Sequence, residues 1–135
     1  METKLKRSIG IWISSIIAVV FGILTIKSGG SVLFGADIYR EAAGNYVPFV
    51  VWFNFMAGFL YMITGIVIWM QKKIAFMMAA FIVIATSFVF VIFVIHILKG
   101  GDYELRTIMA MTLRTFIWLV ITLYLSKVSL LLKKP

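Results

Sequence analysis

Four apolar runs, each long enough to cross a bilayer, alternate with short segments that carry most of the charged residues. A membrane-spanning helix needs about 20 predominantly apolar residues. The runs cover about residues 9–26, 47–70, 74–98 and 107–125. Backbone groups within hydrocarbon must be hydrogen-bonded inside their own segment, which makes each run a helix. The sequence therefore predicts an all-α integral membrane four-helix bundle, with residues 1–135 forming a single transmembrane domain.

The composition excludes several other classes of protein. Of the 135 residues, 63% are hydrophobic and 13% are charged, against roughly 45–50% and 25% in soluble domains. The absence of cysteine excludes disulfides, thiolate metal sites and thiol nucleophiles. The net charge of +8 does not indicate nucleic-acid binding, because the basic residues flank apolar runs and do not form a water-exposed basic face.

Charge distribution predicts the orientation of the bundle. Eight Lys and Arg residues lie at the two termini and in the turn at residues 71–73, with Glu2 as their one acidic neighbour. On the opposite side, four Lys and Arg residues are balanced by four Asp and Glu residues. Segments rich in Lys and Arg stay in the cytoplasm. Both termini are therefore predicted to be cytoplasmic, in a multi-pass protein of the cell inner (plasma) membrane.

The ends of the runs carry local signals. The first run exceeds the h-region of a signal peptide, about 7–15 residues, and lacks a small-x-small cleavage site, which favours a retained helix. Pro48 suits the first turn of the second helix, and Lys99-Gly100-Gly101 should end the third. The connection at 27–46 is predicted to hold a turn at Gly29-Gly30 and a short interfacial helix over 36–43 that ends at Gly44.

Small and polar residues at helical spacing predict the faces on which the helices pack. Helices in lipid associate through close contact of small residues and through interhelical hydrogen bonds. One such stripe in the first run consists of Ser14, Ala18, Gly22 and Thr25. The stripe in the second run consists of Asn54, Gly58, Tyr61 and Gly65. Helix packing explains both stripes, and the polar members Asn54 and Tyr61 are also candidate contacts for a ligand.

Arg114 is the most informative single residue. A charge inside a span costs at least ~2.5 kcal/mol on insertion scales and usually faces a bundle interior or a water-filled cavity. Seven residues separate Arg114 from the outer end of the fourth run, and seven separate Asn54 from the outer end of the second. The two side chains are therefore predicted at the same depth.

Further polar residues are expected near the outer end of the bundle, which His96 approaches from the third run and Glu104, Arg106 and Glu41 from the connections. Together with Asn54 and Arg114 they would form an outward-facing cluster that binds a partner or a small polar ligand. The inner half of the bundle has no comparable ionisable residue, which argues against a proton or ion relay across the membrane. Alternatively, Arg114 snorkels towards Glu104 or the headgroups and only orients the bundle.

Catalytic and metal-site patterns are largely absent from the sequence. It contains no nucleophile with an adjacent base and no glycine-rich phosphate loop, so an enzyme acting alone is not expected. His96 alone cannot complete a zinc site, and haem ligation would need two chains. Met109 and Met111 could offer thioether ligands for Cu(I) beside His96, and this alternative is retained. Methionines in so apolar a chain more often fill gaps between helices. No cofactor is identified.

The arrangement resembles the DoxX-like group of small four-helix bacterial membrane proteins. The resemblance is carried by Phe21-Gly22-Ile23-Leu24-Thr25-Ile26-Lys27, by Ala57-Gly58 and by Val94-Ile95-His96-Ile97-Leu98-Lys99-Gly100. It implies association with quinone-linked sulfur oxidation or with redox complexes at the membrane. The stretch from Tyr103 to Trp118 does not match a motif of that group.

These observations lead to three functional hypotheses. The first is a non-enzymatic subunit or binding module of a membrane assembly, in contact with lipid and with further copies or other membrane subunits. The second is an oligomeric transporter or channel, in which Arg114 and Lys27 attract an anion from outside. The third is a quinone-linked redox subunit, as the DoxX-like resemblance implies.

Overall fold

A computed structural model of the chain describes residues 9–133, with side chains described for 9–128. The helices are α1 (Ile9–Phe34), α2 (Asp37–Ala43), α3 (Pro48–Trp69), α4 (Ile74–Leu98) and α5 (Leu105–Lys133). Strands are absent from the described residues. All except α2 are long and apolar enough to cross a membrane, which confirms the all-α multi-pass membrane fold. The terminal charges Glu2, Lys4, Lys6, Arg7, Lys133 and Lys134 lie outside the described side chains.

The bounds of α3 and α4 agree with the sequence to within one residue. Pro48 opens α3, where its missing N–H leaves no intrahelical bond unmade. The predicted stop of α4 is confirmed, because Gly100 adopts a positive φ of 88°. The backbone N–H of Gly101 then donates to the carbonyl of His96 at 3.0 Å, and the N–H of Gly100 donates to the carbonyl of Ile97 at 3.0 Å.

The predicted end of the first helix is wrong. Instead of stopping near residue 26 and turning at Gly29-Gly30, α1 continues to Phe34. Gly29 is buried against α3, where an added Cβ would lie 3.1 Å from the Cβ of Phe55. The missing side chain thus serves close helix packing and not a turn. The α5 helix is also longer than its predicted span of 107–125, and the predicted short helix is confirmed as α2.

Helices α1 and α3 form the closest pair in the bundle. An added Cβ on Gly22 would lie 2.7 Å from the carbonyl oxygen of Gly58, so the two backbones touch. Gly65 lies equally close to α1, with its hypothetical Cβ 3.1 Å from the Cβ of Ala18. The predicted stripes are confirmed: their members are buried, except for Asn54, which is half-buried.

The other helices complete the bundle, since α5 packs on α4 and α4 packs on α3. Within the described residues, α1 and α5 do not pack closely along their length. The main core cluster includes Tyr61, Ile82 and Trp118 and joins all four long helices. Tyr124 of α5 packs against Gly10 of α1 near the chain termini, so the fourth side is a cleft between α1 and α5 only towards the end that carries α2, with α3 behind it.

Two arginines fasten α2 across one end of the bundle. Arg40 donates hydrogen bonds to the carbonyls of Val32 at 3.1 Å and Gly35 at 3.2 Å, and it also contacts the carboxylate of Asp37. Arg106 donates to the carbonyl of Ala42 at 2.9 Å. Each guanidinium thus caps the carbonyl end of a helix, where a cation is stabilised by the helix dipole.

The end that carries α2 and the 99–104 loop is called the α2 end below, and the opposite end is the terminal end. At the terminal end, the rings of Trp12 and Trp69 meet edge to face with centroids 4.3 Å apart. Rings of this kind commonly sit at the membrane–water interface. The two tryptophans therefore mark one boundary of the spanning region.

The contact between α1 and α3 predicts the effect of a single added methyl group. Gly22→Ala should lower the free energy of unfolding by about 1–3 kcal/mol, because the new Cβ would overlap the Gly58 backbone. Gly30→Ala, on the same helix, meets only the ring of Phe55 at 3.3 Å and should change stability by less than about 1 kcal/mol. Unfolding in mixed SDS micelles, followed by tryptophan fluorescence, measures both. Equal stabilities would contradict the close backbone contact.

Candidate functional site

A cavity of about 290 Å³ lies at the α2 end of the cleft between α1 and α5. The lining residues come from α1 (Thr25, Ser28, Gly29 and Val32), from the end of α2 and the connection after it (Ala43 and Tyr46), from α3 (Val50, Val51 and Asn54), and from α5 with its N-terminal flank (Glu104, Arg106, Thr107, Ala110 and Arg114). The α5 residues Thr107, Ala110 and Arg114 are spaced by three and four, so they share one face of the helix. The cavity thus has one wall from each of three spanning helices.

Arg114 is half-buried and has a specific set of neighbours. Its Nη1 donates a hydrogen bond to Oγ1 of Thr25 on α1 at 2.9 Å. Its Cζ lies 5.1 Å from the centroid of the Phe21 ring, within range of a cation–π interaction. Its Nε is buried without a hydrogen-bond partner. These contacts connect α5 to α1 across the cleft.

No carboxylate neutralises Arg114 among the described residues. The ion pairs there are Arg40 with Asp37 and Arg106 with Glu104. Arg114 lies nine residues into α5 from Leu105, or about 13 Å along the axis at 1.5 Å per residue. Its charge therefore lies well inside the span, held by one hydroxyl and one aromatic ring.

Asn54 shares the cavity with Arg114. Its side chain is half-buried, and its Oδ1 is buried with no hydrogen-bond partner in the structure. Asn54 is six residues into α3 from Pro48, about 9 Å along that helix. The two residues matched by depth in the sequence thus line one cavity, although the hydrogen bond of Arg114 goes to Thr25 and not to Asn54.

Glu104 and Arg106 form the rim of the cavity and hold its neighbouring segments together. Their charged atoms, Nη2 of Arg106 and Oε1 of Glu104, are 3.6 Å apart. The other oxygen of Glu104 accepts the backbone N–H of Asn45 at 2.9 Å. Because Arg106 also caps α2, this pair joins the start of α5 to the connection before α3. Glu104 is therefore engaged at the rim and does not pair with Arg114.

An aromatic cluster lies about one helical turn further towards the terminal end. Tyr61 is fully buried between Phe21 and Trp118, with ring centroids at 5.7 and 5.1 Å. Phe21 and Trp118 lie four residues beyond Thr25 and Arg114 on their own helices. Tyr61 does not line the cavity. These three rings pack together inside the bundle on the terminal side of Arg114.

His96 and Glu41 also lie outside the cavity lining. The Nε2 atom of His96 is 2.9 Å from the carbonyl oxygen of Asp102, and its ring stands edge to face with Phe49 at 6.1 Å. This hydrogen bond closes the loop after α4. Glu41 is exposed on α2. Of the seven candidate residues, four line the cavity: Asn54, Glu104, Arg106 and Arg114.

The methionines considered for copper diverge in the structure. Met111 is fully buried beside Val50 and Phe93, whereas Met109 is 63% exposed. The two thioethers therefore face different directions from α5. Groups of three His, Cys, Asp or Glu residues arranged to hold a metal ion are not found within the described part of the chain.

Several cavity residues were not among the candidates from sequence. Thr25 was identified as part of a packing stripe, and Ser28 and Thr107 were not singled out as ligand contacts. The pattern that could have pointed to Thr25 is its place on the buried face of α1, where a hydroxyl needs a hydrogen-bond partner on its own or on a neighbouring helix. Without the tertiary arrangement, that partner could not be assigned.

The cavity is suited to binding. Its wall offers a guanidinium, an amide and the hydroxyls of Thr25, Ser28 and Thr107 within one small volume. Such groups fix a polar ligand by hydrogen bonds, as in most small-molecule sites. Its volume lies near the lower limit of such sites, about 300 Å³.

Comparisons of the chain with protein families, with curated proteins and with solved structures found no match. The DoxX-like resemblance therefore stays a prediction. Inference about function starts from the cavity itself.

The hydrogen bond between α5 and α1 can be tested with two matched threonine substitutions. Thr25→Val removes the acceptor of Arg114 and should lower the free energy of unfolding by about 1–3 kcal/mol, because a hydrogen bond to a charged group is lost. Thr112→Val changes an exposed hydroxyl that bonds only to the carbonyl of Ile108 and should have an effect near zero. If Thr25→Val is as stable as Thr112→Val in mixed SDS micelles, Arg114 is held by other contacts.

Proposed function

We propose that the protein is a non-enzymatic membrane binding protein that takes a small polar molecule into the cavity from the α2 end. The observation that carries this proposal is the position of Arg114, a charge at spanning depth beside an open cavity and without a carboxylate partner. Charges at such depth usually mark functional sites or water-filled cavities. The neighbouring Asn54, with an unpartnered buried oxygen, adds a second polar group.

The direction of the Arg114 side chain supports binding over a purely anchoring role. A snorkelling arginine extends towards the headgroups. Arg114 instead reaches Thr25, which lies nine residues from the α2 end of α1, just as Arg114 lies nine residues from the α2 end of α5. The hydrogen bond is therefore lateral, and it holds the guanidinium within the bundle.

The aromatic cluster beyond the cavity supports binding over conduction by a single chain. The rings of Phe21, Tyr61 and Trp118 pack together beyond Arg114, and a conducting state would have to separate them. The transporter hypothesis would therefore require several copies or a rearrangement of this cluster. The transport and redox hypotheses both stay predictions, as does membership of the DoxX-like group.

The proposal includes a setting for the protein. We place it in the plasma membrane of a bacterial cell, with both termini cytoplasmic and the cavity open to the outside, as the distribution of Lys and Arg predicts. Large apolar side chains cover the outward faces of the long helices. Contacts with lipid, with further copies or with other membrane subunits would cover these faces.

Binding in the cavity can be tested by native mass spectrometry of the protein extracted from membranes in mild detergent. The wild-type protein should carry a small-molecule adduct. Asn54→Leu should reduce its occupancy about tenfold, because the substitution leaves the polar groups of the ligand unpaired. Thr112→Leu, on the exposed side of α5, serves as the matched polar-to-leucine control and should retain the adduct. A wild-type protein without any adduct, or equal occupancy in Asn54→Leu, would contradict the proposal.

The orientation can be tested directly because the chain contains no cysteine. Asp102→Cys, at the α2 end, should react with a membrane-impermeant maleimide added to intact cells. Lys73→Cys, in the turn between α3 and α4, should react only after the cells are opened. The reverse pattern would place the cavity on the cytoplasmic side.

A further inference from the structure

We propose that the ligand of the cavity is a small oxyanion with a single negative charge, either a carboxylate or a phosphate group, and that Arg114 binds it. This inference rests on the proposed binding function and names its ligand class. A neutral polar ligand would satisfy the proposed function and would contradict this inference. The two can therefore fail separately.

The charge balance of the cavity indicates one negative charge. Its charged lining residues are Glu104, Arg106 and Arg114. The first two form the rim ion pair, with side chains 27% and 69% exposed. Arg114 therefore contributes the unbalanced positive charge, at a depth where an unpaired charge is costly. One bound anion would neutralise it.

The arrangement of Arg114 leaves its donors available to a ligand. A guanidinium has five N–H groups in a planar fork that matches the two oxygens of a carboxylate or phosphate. In the structure, one of them bonds to Thr25 and that of Nε is buried, while the other three have no hydrogen-bond partner among the described residues. The ring of Phe21, with its centroid 5.1 Å from Cζ, and the hydroxyl of Thr25 hold the guanidinium at this place. The site is thus preorganised for an oxyanion.

The cavity also limits the size of the ligand and adds a second contact. Its volume of about 290 Å³ suits a small acid or a single headgroup, since larger ligands such as nucleotides need sites well above about 300 Å³. Asn54 lines the same cavity, and its buried Oδ1 has no hydrogen-bond partner in the structure. An anion that also carries a hydroxyl or amide N–H would therefore use both sides of the site.

Two sources can supply this chemistry. A soluble anion would enter at the rim, between Glu104 and Ser28. An anionic phospholipid would place its phosphate at Arg114 through the cleft where α1 and α5 do not pack closely. Both sources use the same contact with the guanidinium, so the experiment needs one arm for each.

To test for a soluble anion, the protein is reconstituted in phosphatidylcholine nanodiscs. It is then titrated calorimetrically with sodium acetate, sodium lactate and inorganic phosphate, and glycerol is the neutral control. In the lipid arm, native mass spectrometry measures retention of phosphatidylglycerol against phosphatidylcholine. At least one anion should bind, and glycerol should not. Arg114→Leu should weaken that binding at least about tenfold, because charge-assisted hydrogen bonds are lost. Lys99→Leu removes an exposed charge after α4, outside the cavity lining, and should change affinity less than about twofold.

Arg114→Lys keeps the positive charge but removes the planar guanidinium, and it replaces Arg114→Leu as the test if that variant does not fold. It should bind the anion more weakly than the wild-type protein and more strongly than any neutral substitution. Equal affinity for anions in wild-type and Arg114→Lys protein would overturn the role of the fork. Binding of glycerol as tight as that of the anions, or no anion or anionic lipid bound in either arm, would overturn the inference. The inference would also be overturned if the adduct that is lost from Asn54→Leu proves to be a neutral molecule. That result would leave the proposed binding function intact.

Discussion

The contact between the backbones of α1 and α3 at Gly22 and Gly58 is the constraint from which the rest of the bundle follows. Helices surrounded by hydrocarbon gain nothing from the hydrophobic effect when they associate, so backbone approach and polar contacts must hold them together. The two glycines permit an approach that a single added Cβ would prevent. With α1 held on α3 in this way, the helices α4 and α5 pack as a second pair.

The cavity is a consequence of this pairing. Because α1 stays with α3 and α5 stays with α4, the side between α1 and α5 is not closed by direct helix packing. Polar contacts and rings bridge it instead: Arg114 meets Thr25 and Phe21, and Tyr61 packs between Phe21 and Trp118. The cleft is therefore polar towards the α2 end and aromatic towards the terminal end. A polar molecule would be held at the depth of the polar part.

The three arginines with described side chains show how the position of an arginine determines its role. Arg40 and Arg106 lie in or next to the connections, where each caps the carbonyl end of a helix and pairs with a carboxylate. Arg114 lies within a span, beyond the reach of the helix ends. Arg114 therefore has no counter-charge among the described residues, and we propose that a bound anion supplies it.

The sequence by itself determined the helices and their approximate depth. Runs of apolar residues, the start signal at Pro48 and the stop signal at Gly100 set the bounds of α3 and α4, because these signals act within one segment. The packing stripes also followed from helical spacing alone, whereas Arg114 lies about one turn deeper than Asn54 because α5 begins two residues before its predicted start.

Only the tertiary structure decided how the helices pair, and with it which polar groups meet. It placed Gly29 in a helix contact where the sequence indicated a turn, and it joined Arg114 to Thr25, while His96 and Glu41 lie outside the cavity. The reason is physical: a glycine serves a turn or a close contact equally well, and the partner of a buried donor depends on which helix lies opposite. Local sequence spacing contains neither piece of information.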